Sequence, residues 1–205
     1  MSSPSPRLSA SLALAHFCWL LAFRLDFSLF WYRLGVAASV LLLLSASSLR
    51  SRPRPPGPVL LASIALGAAS ALPLYWLASL SFQVFRPLVE AGARAVYALG
   101  SGLPKVPLSL LLAYVGASEE AFWRGYVQSR LASRYSPARA LLLTSLLYAS
   151  IHLWTLNLPL LALALALGLV FGLLFHLSNS LALAASSHAL WDELAFVLLP
   201  FLPQA

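Results

Sequence analysis

The sequence predicts an all-α fold, a polytopic transmembrane helix bundle of about six or seven spans. Composition points there first: 60% of the 205 residues are hydrophobic and 9% are charged, where a soluble domain carries about 25% charged residues. Apolar runs then recur along the whole chain, at about 9–23, 34–49, 58–82, 106–129, 139–156, 159–177 and 180–202. The breaks between them are built from Pro, Gly, Asn and Arg. Inside hydrocarbon each backbone polar group needs an internal partner, so long apolar runs must be helices. The length suits one integral membrane domain, with helices that carry no signature over 1–103 and motif-bearing helices over 104–205.

The first run follows Arg7 and ends at Phe23. No small-x-small cleavage site followed by a soluble domain succeeds it, so it reads as a retained helix rather than a secretory signal. The first two runs fall short of the roughly 20 residues that cross a bilayer core, and so predict little tilt. Arg50-Ser-Arg-Pro-Arg-Pro-Pro-Gly57 ends one helix outside the hydrocarbon and starts the next. Residues 83–105 set Arg86, Glu90, Arg94 and Lys105 among apolar residues before Gly100, Gly102 and Pro104; an interfacial amphipathic helix and a plain connecting loop both fit. Ser136 is placed to cap a helix starting at Pro137. Asn157-Leu-Pro159 and Leu177-Ser-Asn-Ser180 read as tight turns, and Gly168-Leu-Val-Phe-Gly172 as a small-xxx-small packing pattern.

The formal net charge of +7 comes from 13 Lys and Arg against 6 Asp and Glu, with no basic residue after Arg139 save histidine. In so apolar a chain this excess belongs to loops and lipid headgroups and implies no nucleic-acid partner. Placing Arg50, Arg52, Arg54, Arg130, Arg134 and Arg139 in the cytoplasm predicts an internal N-terminus, seven spans and an external C-terminus. Cys18 is the sole cysteine, so no intrachain disulfide exists.

Against this background Ser118-Glu-Glu-Ala-Phe-Trp-Arg-Gly125 puts two carboxylates and a guanidinium where lipid is expected. Each such charge costs roughly 2.5–3.5 kcal/mol on insertion scales and persists when paired or functional. Glu120 and Arg124 are four apart and can pair. Glu119 projects about 100° away and is left for a cavity. A carboxylate among Phe122, Trp123 and Tyr126 suits a general base acting on water. His152, four residues after Tyr148, and His188 with Asp192, again four apart, put further polar groups on single helix faces at similar depth. The histidines can hold that water, donate to an oxyanion, or join Glu119 as a His₂Glu set for a divalent metal such as zinc.

Taken in order, the Glu-Glu-x-x-x-Arg, Tyr-x-x-x-His and His-x-x-x-Asp helices resemble the CPBP family, which includes CAAX prenyl endopeptidases of the Ras-converting type, Abi proteins and bacteriocin-processing proteins. The likeness spans about residues 104–202. It implies an intramembrane glutamic-type or metallo-endopeptidase acting on a membrane-anchored protein or peptide. Glu119 would activate water, Glu120 and Arg124 would hold the site together, and His152 and His188 would position the water or transition state. Asp192 would help form the oxyanion hole. Tyr148 stands where the family usually has Phe, and Asp192 where several members have Asn. The Ala/Leu/Arg bias and small size also resemble bacterial members that trim C-terminal anchors, the myxosortase-like branch, which implies a bacterial inner membrane.

Plainer readings stand beside this one. Glu119, Glu120 and Arg124 would also suit a charge cluster at a helix end, and Asp192-Glu193 the start of a solvated loop. His16, His176, Trp19, Trp31 and Trp76 read as packing or interfacial residues, and Arg24 with Asp26 as a surface pair. A non-enzymatic Abi-like scaffold or a small proton-coupled transporter would use the same polar residues differently.

Overall fold

A computed structural model describes residues 6–26, 29–99 and 102–202, which leaves Gly100 outside the described residues. Its helices are α1 (Pro6–Arg24), α2 (Phe30–Arg50), α3 (Gly57–Val84), α4 (Arg86–Leu99), α5 (Lys105–Glu120), α6 (Ser129–Ala132), α7 (Pro137–Ile151), α8 (Leu158–Ser178) and α9 (Leu181–Glu193). A π-helix, Ala121–Gln128, joins α5 to α6 as one rod; a second, Leu194–Leu198, prolongs α9. The protein is an integral membrane helix bundle, and α1, α2, α3, α8 and the rod 181–198 are long and apolar enough to cross a membrane. The expected spans at 106–129 and 139–156 are the ones that carry polar motifs.

Local chemistry explains most boundaries. Pro53, Pro55 and Pro56 separate α2 from α3. Asn157 caps α8 by accepting from Leu160 N at 3.1 Å, and Ser180 caps α9 by accepting from Leu183 N at 3.2 Å. Asn179, with φ 51°, ends α8 in the left-handed conformation asparagine tolerates. Ser136 stands at the N-cap of α7 but its side chain bonds no backbone N–H there, and Pro137 at the first helical position leaves one fewer N–H to satisfy.

Residues 86–99 form a helix, not a loop. Glu90 accepts from Arg86 Nε at 2.7 Å and from Arg94 Nη2 at 2.5 Å. Those two hydrogen bonds hold its carboxyl down at about 2. None of the helix's residues is fully buried, as suits an interfacial element. Asn157 Nδ2 reaches Gly92 O at 2.8 Å and Tyr97 Oη donates to Ala195 O at 2.7 Å, which ties α4 to the α7–α8 turn and to the end of α9. Asp26 pairs with Arg33 at 3.3 Å instead of with Arg24, because Arg33 from α2 also donates to Ala22 O at 3.0 Å and so lies across the α1–α2 turn.

Close backbone approach governs the packing of the later helices. A Cβ on Gly67 of α3 would land on the Leu183 carbonyl oxygen and Ser186 Oγ of α9. One on Gly168 would meet Tyr148 Cδ1 at 3.0 Å, and one on Gly172 would meet Leu141 Cδ1 at 2.8 Å. The small-xxx-small pattern is thus the seat of α7 on α8.

Candidate active site

The rod from Lys105 to Ala132 carries Glu119, Glu120 and Arg124 near its middle, at 5%, 0% and 0% exposure. Those values exclude a charge cluster at a helix end. The π-helix begins directly after Glu120, where i→i+5 bonding widens the turns and leaves carbonyls for side chains to satisfy. Ser129 Oγ donates to Arg124 O at 2.8 Å, and Ser48 Oγ to Gly125 O at 2.7 Å. The bulge is therefore held from within the rod and from α2.

Arg124 is the hub of the buried charge. Its Nη1 donates to Glu120 Oε1 at 2.8 Å and its Nη2 to Gly168 O at 3.0 Å. The guanidinium lies 5.0 Å over the Tyr148 ring and 5.8 Å over that of Phe171. One turn further, Gln128 Nε2 donates to Gly172 O at 2.9 Å. Two side chains four apart on the rod thus reach two carbonyls four apart on α8, at the glycines that let α7 close in. Removing either partner of such a fully buried pair costs about 3–5 kcal/mol, because a bare charge remains.

His188 joins the same carboxylate, its Nδ1 lying 2.9 Å from Glu120 Oε1. Its ring stacks on Phe171 at 4.6 Å between centroids. With Nδ1–H donated to Glu120, Nε2 faces the remaining carboxylates, 3.6 Å from Asp192 Oδ2 and 4.0 Å from Glu119 Oε2. Both distances exceed a direct hydrogen bond. Asp192 is 8% exposed and lies within α9, and Glu193 accepts from Ser109 Oγ at 2.8 Å; neither begins a solvated loop.

His152 follows α7 in a 3₁₀ turn, with Nδ1 3.1 Å from Tyr148 O and Nε2 left for the cavity. A cavity of about 130 Å³ is lined by Glu119, Tyr148, His152, His188, Trp191 and Asp192. The structure thus brings the sequence-predicted set around one space. Glu120 and Arg124 stand behind it.

Three contributions were not legible in the motifs. The Tyr148 hydroxyl faces Glu119, so the residue that stands in place of Phe adds a polar group beside the candidate base. Trp19 and Trp31, from the half of the chain without a signature, line the cavity as well as packing in the core. Trp76, by contrast, is 65% exposed. His16 bonds Ser150 Oγ at 3.1 Å and links α1 to α7, as a packing residue does.

Beside the polar cavity runs a larger apolar groove of about 460 Å³ between α3, α4, α8 and the end of α9. Val96, Leu163, Leu167, Trp191 and Phe196 line both, so a single layer of side chains separates them.

Among the described residues no three His, Cys, Asp or Glu side chains stand in a metal-holding group. Nδ1 of each histidine is turned to a partner within the protein, Glu120 for His188 and the Tyr148 carbonyl for His152, which leaves Nε2 of both toward the cavity, while Glu120 is taken by Arg124.

Residues 101–194 match the family model described as type II CAAX prenyl endopeptidase, Rce1-like. No curated protein and no solved structure matches the chain.

Proposed function

The chain belongs, through residues 101–194, to the Rce1-like family of type II CAAX prenyl endopeptidases, and from that premise we propose that it is an intramembrane endopeptidase that hydrolyses a peptide bond of a membrane-tethered protein. The observation that carries this reading is the convergence of Glu119, His152, His188 and Asp192 on one cavity, behind which a buried Glu120–Arg124 pair is fixed.

Glu119, desolvated and beside the Tyr148 hydroxyl, takes a proton from a water held between it and His188 Nε2. The resulting hydroxide attacks the scissile carbonyl carbon. Negative charge then develops on the carbonyl oxygen beside His152, which gives Nδ1–H to the Tyr148 carbonyl and so donates from Nε2 only as the imidazolium. The intermediate collapses as Glu119 passes its proton to the leaving amide nitrogen, which restores the carboxylate. Glu120 does not touch substrate; it holds His188 in the tautomer that leaves Nε2 toward the water, and Arg124 holds Glu120. Asp192 shares the water with His188.

The apolar groove one side-chain layer away favours a substrate with an apolar flank that lies along α3, α4 and α8 while its bond enters the polar cavity. Removal of a C-terminal anchor from an exported bacterial protein is a reaction of this type.

Glu119→Gln tests the proposal, since it keeps the shape and removes the base. Cleavage of a substrate protein accumulated in cells that lack the chain should fall by about 10²–10⁴-fold, with an unchanged elution profile in detergent. Cleavage at the original rate would refute the assignment. A scaffold or immunity factor would tolerate the change, and a proton-coupled carrier would lose transport without any cleaved product.

A further inference from the structure

The polar cavity has two kinds of lining. Glu119, Tyr148, His152, His188 and Asp192 lie within the stretch that carries the family match. Trp19 and Phe23 of α1, with Phe30 and Trp31 of α2, come from outside it. The chemistry uses none of these four rings, yet they reach the same space as the base. Their placement is fixed. Trp19 and Trp31 are 1% and 4% exposed and belong to the main core, against which Phe23 and Phe30 pack. The Phe30 ring joins the two helices, 5.0 Å from that of Phe23 and 5.1 Å from that of Trp31. Arg33 closes the turn between α1 and α2 by donating from Nε to Ala22 O at 3.0 Å. Side chains held in close-packed surroundings on this scale do not swing aside for a ligand.

Size then decides what enters. An apolar cavity of about 150 Å³ holds one benzene. This cavity, at about 130 Å³, is smaller, and it must also take the attacking water and the scissile amide. An aromatic or long aliphatic side chain finds no room beside them. The groove of about 460 Å³ is where a bulky flank fits.

We propose that the aromatic wall from α1 and α2 is a size filter, a subsite that admits only a small apolar side chain, no larger than valine, on the substrate residue next to the scissile bond. This rests on the endopeptidase reading above and adds a sequence preference to it. Charged residues are turned away as well. The four rings offer no acceptor to an ammonium or guanidinium, since an indole nitrogen only donates. A substrate carboxylate would crowd Glu119 and Asp192 in one small space.

Two measurements on the full chain in detergent decide the matter. In the first, the protein is given a pool of synthetic peptides, each an apolar segment of about 20 residues followed by a randomised stretch, and the cut positions are read by mass spectrometry. Wild type should cut beside Gly, Ala or Val at least about tenfold faster than beside Leu or Phe, and Trp31→Ala or Phe30→Ala should erase that difference. Phe30 is only partly buried, so its variant serves if Trp31→Ala does not fold. Equal cutting beside Ala and Phe by wild type, or an unchanged preference in whichever variant folds, overturns the proposal. The second measurement needs no catalysis. Ala164→Cys, in the cavity lining and built on Cys18→Ser, should react at least about tenfold faster with methyl than with benzyl methanethiosulfonate, and the same two variants should close that gap. Equal rates, or no reaction with either reagent, overturn the filter. Size-graded labelling with no peptide cut at all would overturn the endopeptidase reading and leave the size limit standing, which tells the two failures apart.

Discussion

Helices α3 and α9 pack against each other, yet they are built on opposite principles. Helix α3 is the more apolar of the two, with Gly67, Ala71 and Tyr75 as its buried residues, and 11% of its span lies inside the protein. The rod 181–198 has 44% of its span inside and carries Ser187, His188 and Asp192 among its buried residues. Lipid is as apolar as a protein core, so apolarity marks the face turned to acyl chains and polar or small residues mark the face turned inward. The difference teaches that in this protein hydropathy identifies the wall, and departures from it identify the site.

The hardest blow to that contrast is Arg124→Ala. It would leave Glu120 buried beside His188 with half its partners gone, at a cost of about 3–5 kcal/mol, and should show as a large fall in thermal midpoint in detergent together with lost cleavage. A midpoint close to wild type would mean that the buried pair does not organise the site. Gly67→Ala attacks the seam itself, because the new methyl meets a backbone oxygen of α9 that cannot rotate away. Overpacking of this kind costs about 1–3 kcal/mol, and thermal denaturation should detect it. Wild-type stability for this variant would show that α3 and α9 approach less closely.

Tyr148→Phe sharpens the comparison at the cavity. The ring continues to support Arg124, so stability should hold while kcat/KM falls by about tenfold or less through loss of a hydroxyl beside Glu119. An unchanged pH–rate profile and rate would assign Tyr148 to packing alone. Trp76→Ala should do least. At 65% exposure the indole faces outward from α3, and a substitution there should stay within about 0.5 kcal/mol, as read by the same thermal assay. A large loss would place a partner on that face.

The pairs that the sequence made legible are those within one helix: Glu120 with Arg124, His188 with Asp192, and the ladder of Arg86, Glu90 and Arg94. Each rests on four-residue spacing, a property of the helix and not of its neighbours. What remained hidden lies between helices. No spacing foretells that Glu120 holds His188, sixty-eight positions away. Nor does any foretell that Arg124 and Gln128 reach α8 carbonyls at Gly168 and Gly172, although the glycine pattern marked the place. The π-helix after Glu120 was equally invisible, since Ser48, Arg52 and Ser129 donate to the carbonyls it releases and two of the three come from far along the chain. Tyr148 read as a harmless stand-in for Phe until its hydroxyl was seen beside Glu119, and Asp26 took Arg33 from the next helix in place of Arg24 from its own.

By itself, then, the chain's order of residues determined that it lives in a membrane, which stretches form its apolar helices, and which few side chains resist the lipid, because hydrocarbon penalises each polar group locally and position by position. The tertiary structure alone decided which of those side chains meet around the cavity, and that the unmarked first half walls it in. Those outcomes depend on how closely rods pack, and that is set by glycines, bulges and carbonyls whose partners lie far off in sequence.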